Sequence, residues 1–452
     1  MASIARKLNE PELVVSFQRL CGIVSLNHVN SSKPHPTLSR DASPSQASVK
    51  SSRYGSNKEV HIAENSSDAD TVLNETDGLR ERVHNGHTAS ECNGGTNRVL
   101  SNGSVDLDDR TGSSSSEDDH DGDLEYVITN KFLHYLFEFG ASMGNEVFYI
   151  TFFPYWFWNI DGYVGRRVCI FWCLFMYLGQ AAKDIIKWPR PASPPVIRLE
   201  KRYALEYSMP STHAMVGAGL PVSLLIITHE RYEYPFHLGL LICIVWCTLV
   251  CGSRLYLGMH TVLDVLAGLA FVFGLMVVCF PFLDSIDNFI LTHRYAPAAL
   301  ILVPLIMALC YPTIDKWNTA RGDTTLILGV GSGIGLGHWF SFQYDFMQRS
   351  TTLPPYQIIW PTWHWFGQML LRLALGVVIL IATRVVMKLL SYNLVCYVVG
   401  VSKEDMRAHK KLSVELPYKL ITYTFVAFNS VFLAPQIFRY LGIERETYFT
   451  EL

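Results

Sequence analysis

Two histidines in this sequence stand where apolar segments begin, and together they could carry out phosphoryl transfer. Asp264 follows His260 by four residues, a spacing that places both side chains on one face of a helix. The carboxylate could accept a hydrogen bond from one imidazole N–H and leave the other nitrogen free to attack phosphorus. His213 could protonate the leaving alkoxide and then activate a water. We therefore expect a nucleophile, an orienting carboxylate and an acid/base.

Basic and hydroxyl side chains stand at the same segment ends. Lys183 and Arg190 leave one apolar segment, Arg254 leaves another, and Ser211 and Thr212 open the segment between them. A phosphomonoester dianion needs fixed cations and oriented donors around its oxygens. The first backbone N–H groups of a helix are such donors, at the positive end of its dipole. These five residues are the predicted phosphate pocket.

Each of these features has an ordinary alternative explanation when it is taken alone. A histidine at a helix end is more often a cap or a surface group. Lys183 or Arg190 could anchor a membrane helix or contact lipid headgroups, and Ser211 could be a simple N-cap. Their joint occurrence, in order and at matching ends, favours a site.

The composition of the chain indicates a membrane protein. Of 452 residues, 49% are hydrophobic and 17% are charged, whereas a soluble globular protein carries about 25% charged residues. The first 130 residues hold many of those charges, which makes the rest still more apolar. The net charge of −3 gives no electrostatic reason to expect a nucleic-acid partner. The expected partner is the lipid bilayer.

About nine segments are long and apolar enough to approach the ~20 residues that a bilayer core requires. The expected fold is all-α, a polytopic membrane bundle of about eight to ten transmembrane helices. The segments are 132–157, 165–186, 212–228, 235–253, 261–282, 296–313, 323–343, 365–390 and 418–440. Segment eight could instead be two helices, or one helix and a surface helix. Helix parity places all three groups of site residues on one side of the membrane.

Three regions follow from this pattern. Residues 1–130 are predicted to be a disordered polar and acidic tail, in which 11–24 could form a short amphipathic helix at the membrane surface. Residues 131–285 form the expected catalytic core, and 286–452 add further transmembrane helices. In the latter, alternating glycines at 329–337 predict a closely packed helix.

No metal or other cofactor is expected. The ten cysteines form no CxxC pair. Cys243, Cys247 and Cys251 share a helix face, but no histidine or carboxylate accompanies them there, so they are interpreted as buried small hydrophobic residues. The first twenty residues are polar and mixed in charge, so no cleavable signal peptide is expected.

Three spaced motifs carry a family resemblance. KxxxxxxRP from Lys183, PSxH from Pro210 and SRxxxxxHxxxD from Ser253 resemble the signature of the type-2 phosphatidic acid phosphatase superfamily. The resemblance implies a metal-independent phosphoric monoester hydrolase. In it, His260 would be the nucleophile, Asp264 its orienting carboxylate and His213 the acid/base, and the five residues named above would bind phosphate. One departure is visible: Thr212 stands where glycine is usual, so a side chain is expected to enter the pocket.

A closer resemblance points to a branch of this superfamily. The strings RPASPP, EYSMPSTHAM, SRLYLGMHTVLDV and ELPYKLITYT look like members acting on phosphorylated sphingoid bases, above all their vertebrate type 1 form. This implies the free base and phosphate as products. Glu206, Asp184 and Glu146 are acidic residues that could pair with the substrate ammonium, although structural roles suit each of them as well.

The resemblance also implies the endoplasmic reticulum membrane and a lumenal active site. The distribution of basic residues does not support a lumenal active site. With nine spans, the segment 388–419 lies on the catalytic side, and it carries Lys403, Arg407, Lys410 and Lys411. Such a cluster favours the cytosol. The tail lies on the catalytic side by the same parity. It contains glycosylation sequons, at Asn30, Asn65, Asn74 and Asn102.

Two alternative functions stay open from the sequence. A broad lipid phosphatase, acting on phosphatidate, lysophosphatidate or polyprenyl pyrophosphate, would show the same motifs because these bind phosphate and not the lipid tail. A non-catalytic membrane scaffold or transporter would be expected to lack a histidine or an arginine of the set, and all are present. The oligomeric state is not indicated.

Overall fold

Helices account for most of the described structure. The computed structural model describes residues 2–25, 125–200, 203–312, 319–348, 350, 352–402, 411–445 and 447. Its helices are α1 (Ala2–Leu8), α2 (Pro11–Leu20), α3 (Lys131–Ser142), α4 (Glu146–Asn159), α5 (Gly162–Ile186), α6 (Thr212–Arg231), α7 (Phe236–Tyr256), α8 (Val262–Cys279), α9 (Leu283–Thr292), α10 (Ala296–Leu309), α11 (Ala320–Gln343), α12 (Trp363–Val399), α13 (Leu412–Val431) and α14 (Leu433–Tyr440).

The short strands form two small sheets. β1 (Ile23–Ser25) pairs antiparallel with β2 (Tyr126–Ile128), with Val24 opposite Val127. β3 (Tyr232–Glu233) pairs in parallel with β4 (Tyr356–Gln357). Neither sheet closes, so the architecture is that of a helical bundle, as predicted.

Seven helical segments of the described chain are long and apolar enough to cross a membrane. They are Gly162–Ile186, Thr212–Arg231, Phe236–Tyr256, Val262–Thr292, Ala320–Gln343, Trp363–Val399 and Leu412–Tyr440. The predicted multi-pass membrane bundle is therefore confirmed. α10 has only 14 residues, so the predicted sixth span is shorter than a bilayer core requires.

The predicted first span, 132–157, was wrong as a single helix. α3 ends at Ser142 and α4 begins at Glu146, with Asn145 in extended backbone conformation at its N-cap. Gly144 lies in the break, and its lack of a side chain lets the backbone approach the His213 ring, which an added Cβ would overlap. With 12 and 14 residues, neither α3 nor α4 reaches the length of a span.

Segment eight is one continuous helix. α12 has 37 residues, which at 1.5 Å per residue is about 55 Å, well beyond a ~30 Å bilayer core. One continuous helix therefore replaces the alternatives that the sequence left open for this segment. Of the basic residues in the segment that follows it, Lys403, Arg407 and Lys410 lie outside the described residues.

The two halves of the bundle meet through close helix contacts. A Cβ at Gly329 of α11 would come within 2.9 Å of the Leu420 carbonyl oxygen of α13, so the glycine-rich segment packs closely, as predicted. Phe153, Phe157 and Trp172 belong to one buried core cluster with residues of α6, α11 and α13. This core connects the catalytic segments to the later helices.

The N-terminal residues differ from the predicted tail. α2 lies within the predicted 11–24 helix, but it docks on a catalytic-side loop. Its buried Gln18 donates to the Ile197 and Tyr256 carbonyl oxygens at 2.6 and 3.0 Å. Residues 2–25 thus form two helices and a strand. The rest of the predicted tail, 26–124, lies outside the described residues, and so do its sequons.

Candidate active site

Four segment ends bring the predicted site residues together. Lys183 lies in the last turn of α5, Arg254 in the last turn of α7, Ser211 caps α6 and His260 precedes α8. The Ser211 N–H donates to the Asp264 carbonyl oxygen at 3.1 Å. The three motifs therefore share one end of the bundle, as helix parity predicted.

The loop between α5 and α6 joins this end through its arginine. Arg190 donates from Nη1 to the carbonyl oxygen of Met259 at 2.7 Å, and from Nε to that of Glu206 at 2.9 Å. Met259 directly precedes His260 in the chain. The guanidinium therefore holds the loop and the nucleophile segment in fixed relation.

The prediction that His260 and Asp264 lie on one helical turn was wrong. α8 begins at Val262, because Thr261 caps it in a capping box with Asp264 at the third position. His260 lies outside the helix, and its Nδ1 is 3.9 Å from Asp264 Oδ2, beyond hydrogen-bond distance. The imidazole does not contact the carboxylate directly.

Ser208 bridges the two residues instead. Its Oγ donates to Asp264 Oδ2 at 2.6 Å and lies 3.2 Å from His260 Nδ1. A serine has one hydroxyl hydrogen, and the carboxylate takes it, so Oγ accepts from the imidazole. Nδ1 therefore carries the proton, and Nε2 of His260 presents a lone pair.

The Asp264 carboxylate is held firmly for this task. It is fully buried, and Oδ2 also accepts from the Thr261 N–H at 2.7 Å. The same side chain thus caps α8 and aligns the serine bridge. Because Asp264 is held rigidly, the Ser208 hydroxyl that it orients keeps the His260 imidazole in one rotamer and one tautomer.

The three predicted cations are at least partly buried, and two of them face carboxylates. Lys183 Nζ lies 3.0 Å from Glu206 Oε2, and Arg254 Nη1 lies 3.2 Å from Glu200 Oε2. Arg254 is 1% exposed, and its Nη2 has no hydrogen-bond partner among the described residues. A buried guanidinium donor without a partner is costly, and a phosphate oxygen would satisfy it.

Burial and neighbouring charges set the ionisation of the site outside the membrane spans. Burial, followed by the charge of Arg190, lowers the pKa of His260 well below its ordinary value. Burial also lowers the pKa of Arg190, to about 10. Burial alone would raise the pKa of Glu206, but the Lys183 charge helps to outweigh it and the pKa is lowered. At neutral pH the imidazole is neutral, the guanidinium cationic and the carboxylate anionic.

The start of α6 carries the second histidine. Ser211 Oγ accepts from the Ala214 N–H at 3.4 Å, so its side chain caps the helix. His213 Nε2 lies 3.5 Å from Asn145 Oδ1, and the Tyr203 ring meets it edge-on at 5.9 Å. Thr212, at the usual glycine position, packs toward Gly179. The missing side chain at Gly179 of α5 leaves room for the Thr212 methyl group, and entry of Thr212 into the phosphate pocket stays a prediction.

An apolar cavity of about 200 Å³ opens beside this end of the bundle. Thr212 and His213 line it, whereas the other six predicted site residues do not. Its polar end also includes Gln180, Glu206 and Tyr203. Its apolar wall comes from α4, α5, α11, α12 and α13, including Phe153, Phe157, Leu326, Ile334, Leu380 and Val426. Glu206 connects the cavity to the cations, since it also contacts Lys183.

The sequence interpretation missed Ser208, Asn145 and Gln180. Ser208 lies in the string EYSMPSTHAM, but no helical spacing relates it to His260. Asn145 lies inside the segment that was predicted as one helix. Gln180 is one turn before Lys183, a spacing that could have identified it. In the described part of the chain, no three His, Cys, Asp or Glu side chains are grouped to hold a metal ion.

Replacing Ser208 with alanine tests the bridge. Without it the imidazole loses the hydrogen bond that fixes its tautomer, and we expect kcat to fall about 10- to 100-fold with little change in KM. Ser223→Ala is the matched control, because Ser223 is equally buried but donates to the Gly219 carbonyl oxygen of its own helix. A Ser208→Ala enzyme within twofold of the control would remove the bridge from the mechanism.

Comparison with protein-family models gives one match. Residues 149–286 match the model described as the PAP2 superfamily. The matched range contains the residues of all three motifs, from Lys183 to Asp264. No solved structure gave a significant match.

Similar proteins extend the likeness over nearly the whole chain. Sphingosine-1-phosphate phosphatase 1 of Rattus norvegicus is 40% identical over 98% of this chain and 98% of its own length. Sphingosine-1-phosphate phosphatase 2 of Homo sapiens is 43% identical over 71% of this chain and 80% of its own. A dihydrosphingosine 1-phosphate phosphatase of Saccharomyces cerevisiae is 28% identical, covering 50% of this chain and 58% of its own.

Proposed function

The chain belongs to the sphingosine-1-phosphate phosphatase family of the PAP2 superfamily, and we propose from this premise that it hydrolyses sphingoid base 1-phosphates. The products are the free base and inorganic phosphate. Sphingosine 1-phosphate and dihydrosphingosine 1-phosphate are the proposed substrates, in keeping with the names of its relatives.

The observation that carries the proposal is the convergence of a neutral histidine with three cations. His260 presents Nε2 because Ser208, which is held by Asp264, engages its other nitrogen. Lys183, Arg190 and Arg254 supply positive charge where a phosphate dianion would bind, and α6 adds its N-terminal N–H groups. No metal is required, since the cations neutralise the phosphate oxygens.

The reaction proceeds in two displacements. His260 Nε2 attacks phosphorus, an N–P bond forms and the P–O bond to the lipid breaks. His213 gives its proton to the departing alkoxide, which leaves as the alcohol of the free base. His213 then takes a proton from water, and the hydroxide attacks phosphorus. The N–P bond breaks, inorganic phosphate departs and both histidines return to their initial states.

The apolar lining of the cavity supports a substrate with a lipid part. It begins at His213 and Glu206 and continues along apolar side chains of α11, α12 and α13. Burying a hydrocarbon chain there is favourable by about 0.8 kcal/mol per methylene. The later helices, which lie beyond the three motifs, would thus contribute to substrate binding.

A side-by-side assay of the purified chain tests the substrate assignment. We expect kcat/KM for the two sphingoid base phosphates to exceed that for lysophosphatidate, phosphatidate and polyprenyl pyrophosphate by about tenfold or more, the value of one ionic contact. Phosphate release is the measurement. Equal turnover of all five lipids would instead indicate a broad lipid phosphatase, and no release from any would indicate a non-catalytic membrane protein.

The proposed location is the endoplasmic reticulum membrane, with the active site facing the lumen. Membership of the family and the sequons of the tail support this orientation, although the basic segment after α12 does not. Endoglycosidase treatment of the expressed chain is expected to increase its gel mobility. Unchanged mobility would count against a lumenal tail.

A further inference from the structure

Glu206 is a buried carboxylate that is only half satisfied. It is 6% exposed, and its Oε2 accepts from Lys183 at 3.0 Å and from Gln180 Nε2 at 3.4 Å. Its Oε1 has no hydrogen-bond partner among the described residues. If Glu206 served only to hold Lys183, its second oxygen should be solvated or hydrogen-bonded. A buried acceptor without a hydrogen bond lowers the stability of the folded protein.

Gln180 presents a second acceptor of the same kind. It lies three residues before Lys183 on α5, it is 6% exposed, and its Oε1 also lacks a partner in the described structure. Both Gln180 and Glu206 line the cavity at the end that holds Thr212 and His213. Two cavity-lining residues therefore each have a buried acceptor oxygen without a donor among the described residues, beside the proposed phosphate pocket.

We propose that Gln180 and Glu206 bind the ammonium group of the sphingoid base. An ammonium offers three N–H donors and no acceptor, which complements two oxygens that lack donors. The inference rests on the proposed function, because it places this ammonium beside the phosphate that the enzyme hydrolyses.

The spacing of charges in the substrate suits this arrangement. The ammonium and the phosphate of a sphingoid base phosphate are carried on adjacent carbon atoms, so the two charges are never far apart. In the enzyme, Lys183 and Glu206 are likewise in contact, with opposite charges. A zwitterionic headgroup can therefore place its phosphate toward Lys183 and its ammonium toward Glu206.

Other carboxylates near the site are less suitable. Asp184 accepts from the Tyr311 hydroxyl at 2.6 Å, and Glu200 faces Arg254. Asp323 also lines the cavity, but it lies 3.8 Å from Lys419. Of the acidic residues first considered from the sequence, Glu146 also lines the cavity, but Glu206 is the one that has both an ion pair with Lys183 and a buried oxygen without a partner among the described residues.

The test compares sphingosine 1-phosphate with its 2-desamino analogue, in which hydrogen replaces the ammonium. The measured quantity is the ratio of their kcat/KM values. In the native enzyme we expect a ratio of about 10 to 100. Glu206→Gln is expected to slow both substrates, because Lys183 loses its counter-charge, and in addition to reduce the ratio at least about fivefold. Gln180→Met is expected to reduce the ratio by a smaller factor.

Asp184→Asn is the matched control, because it removes a carboxylate from the same turn of α5 and should leave the ratio within twofold. Equal losses for both substrates in Glu206→Gln would overturn the inference and reduce Glu206 to a residue that positions Lys183. A native ratio near one would also overturn it while leaving the phosphatase assignment intact. Failure of the native enzyme to hydrolyse either lipid would reject the proposed function, and this inference with it.

Discussion

Replacing His260 with alanine is expected to reduce phosphate release from sphingosine 1-phosphate by at least about 10³-fold, as loss of a covalent nucleophile does. The side chain is 2% exposed, and its Nδ1 is committed to Ser208. Its lowered pKa keeps Nε2 unprotonated at neutral pH. Among the described histidines, His260 is the one that is hydrogen-bonded to Ser208.

The control for this variant is His229→Ala. His229 lies in the last turn of α6, at the opposite end of that helix from His213, and it is exposed. Both variants should be extracted from membranes in the same monodisperse form, which separates catalysis from folding. Phosphate release by His260→Ala within tenfold of the control would contradict the assignment of the nucleophile.

Replacing His213 with alanine is expected to have an effect that depends on the leaving group. Loss of general acid catalysis should slow release of the sphingoid alkoxide about 10²- to 10⁴-fold. An alkylated aryl phosphate has a leaving group that needs no proton, so formation of the phosphoenzyme should continue. Hydrolysis of that intermediate still needs a base, and the phosphoenzyme should accumulate.

A burst assay with the aryl phosphate measures this difference. One equivalent of phenol should appear rapidly per His213→Ala molecule, followed by slow turnover, whereas the native enzyme should show continuous release. Asn145→Ala is a second variant for comparison, because it removes the side-chain oxygen 3.5 Å from His213 Nε2 and should change rates less than loss of the histidine. Absence of the burst, with both esters slowed equally, would argue that His213 binds phosphate and does not transfer protons.

The convergence of the site could be predicted because it depends only on the order of the motifs and on helix parity. Helices that cross a membrane alternate in direction, so the ends that carry Lys183, Ser211 and Arg254 must share a side. No knowledge of packing is needed for that conclusion.

The local geometry at His260 could not be predicted from its spacing alone. Thr261 and Asp264 form a capping box, a pattern readable in the sequence, and it competes with the interpretation of His260 and Asp264 as one helical turn. The capping box places His260 before the helix. Ser208 then fills the space between the two groups, and its position depends on how the loop after α5 folds.

The cavity could not be predicted from the sequence either. Hydropathy predicts that α11, α12 and α13 cross the membrane, but not which of their faces meet α4 and α5. The break at Gly144 was missed for a related reason. The apolar run 132–157 has the composition of a span, and the proximity of Gly144 to the His213 ring of another segment cannot be read from that composition.

The most direct measurement is the identity of the phosphorylated residue. Native enzyme and the His213→Ala variant, mixed with ³²P-labelled lipid or aryl phosphate and quenched within milliseconds, should carry an acid-labile, base-stable label. Peptide mapping should place that label on His260, and the His260→Ala variant should carry none. A label on any other residue, or turnover with no labelled intermediate in either enzyme, would contradict nucleophilic attack by His260.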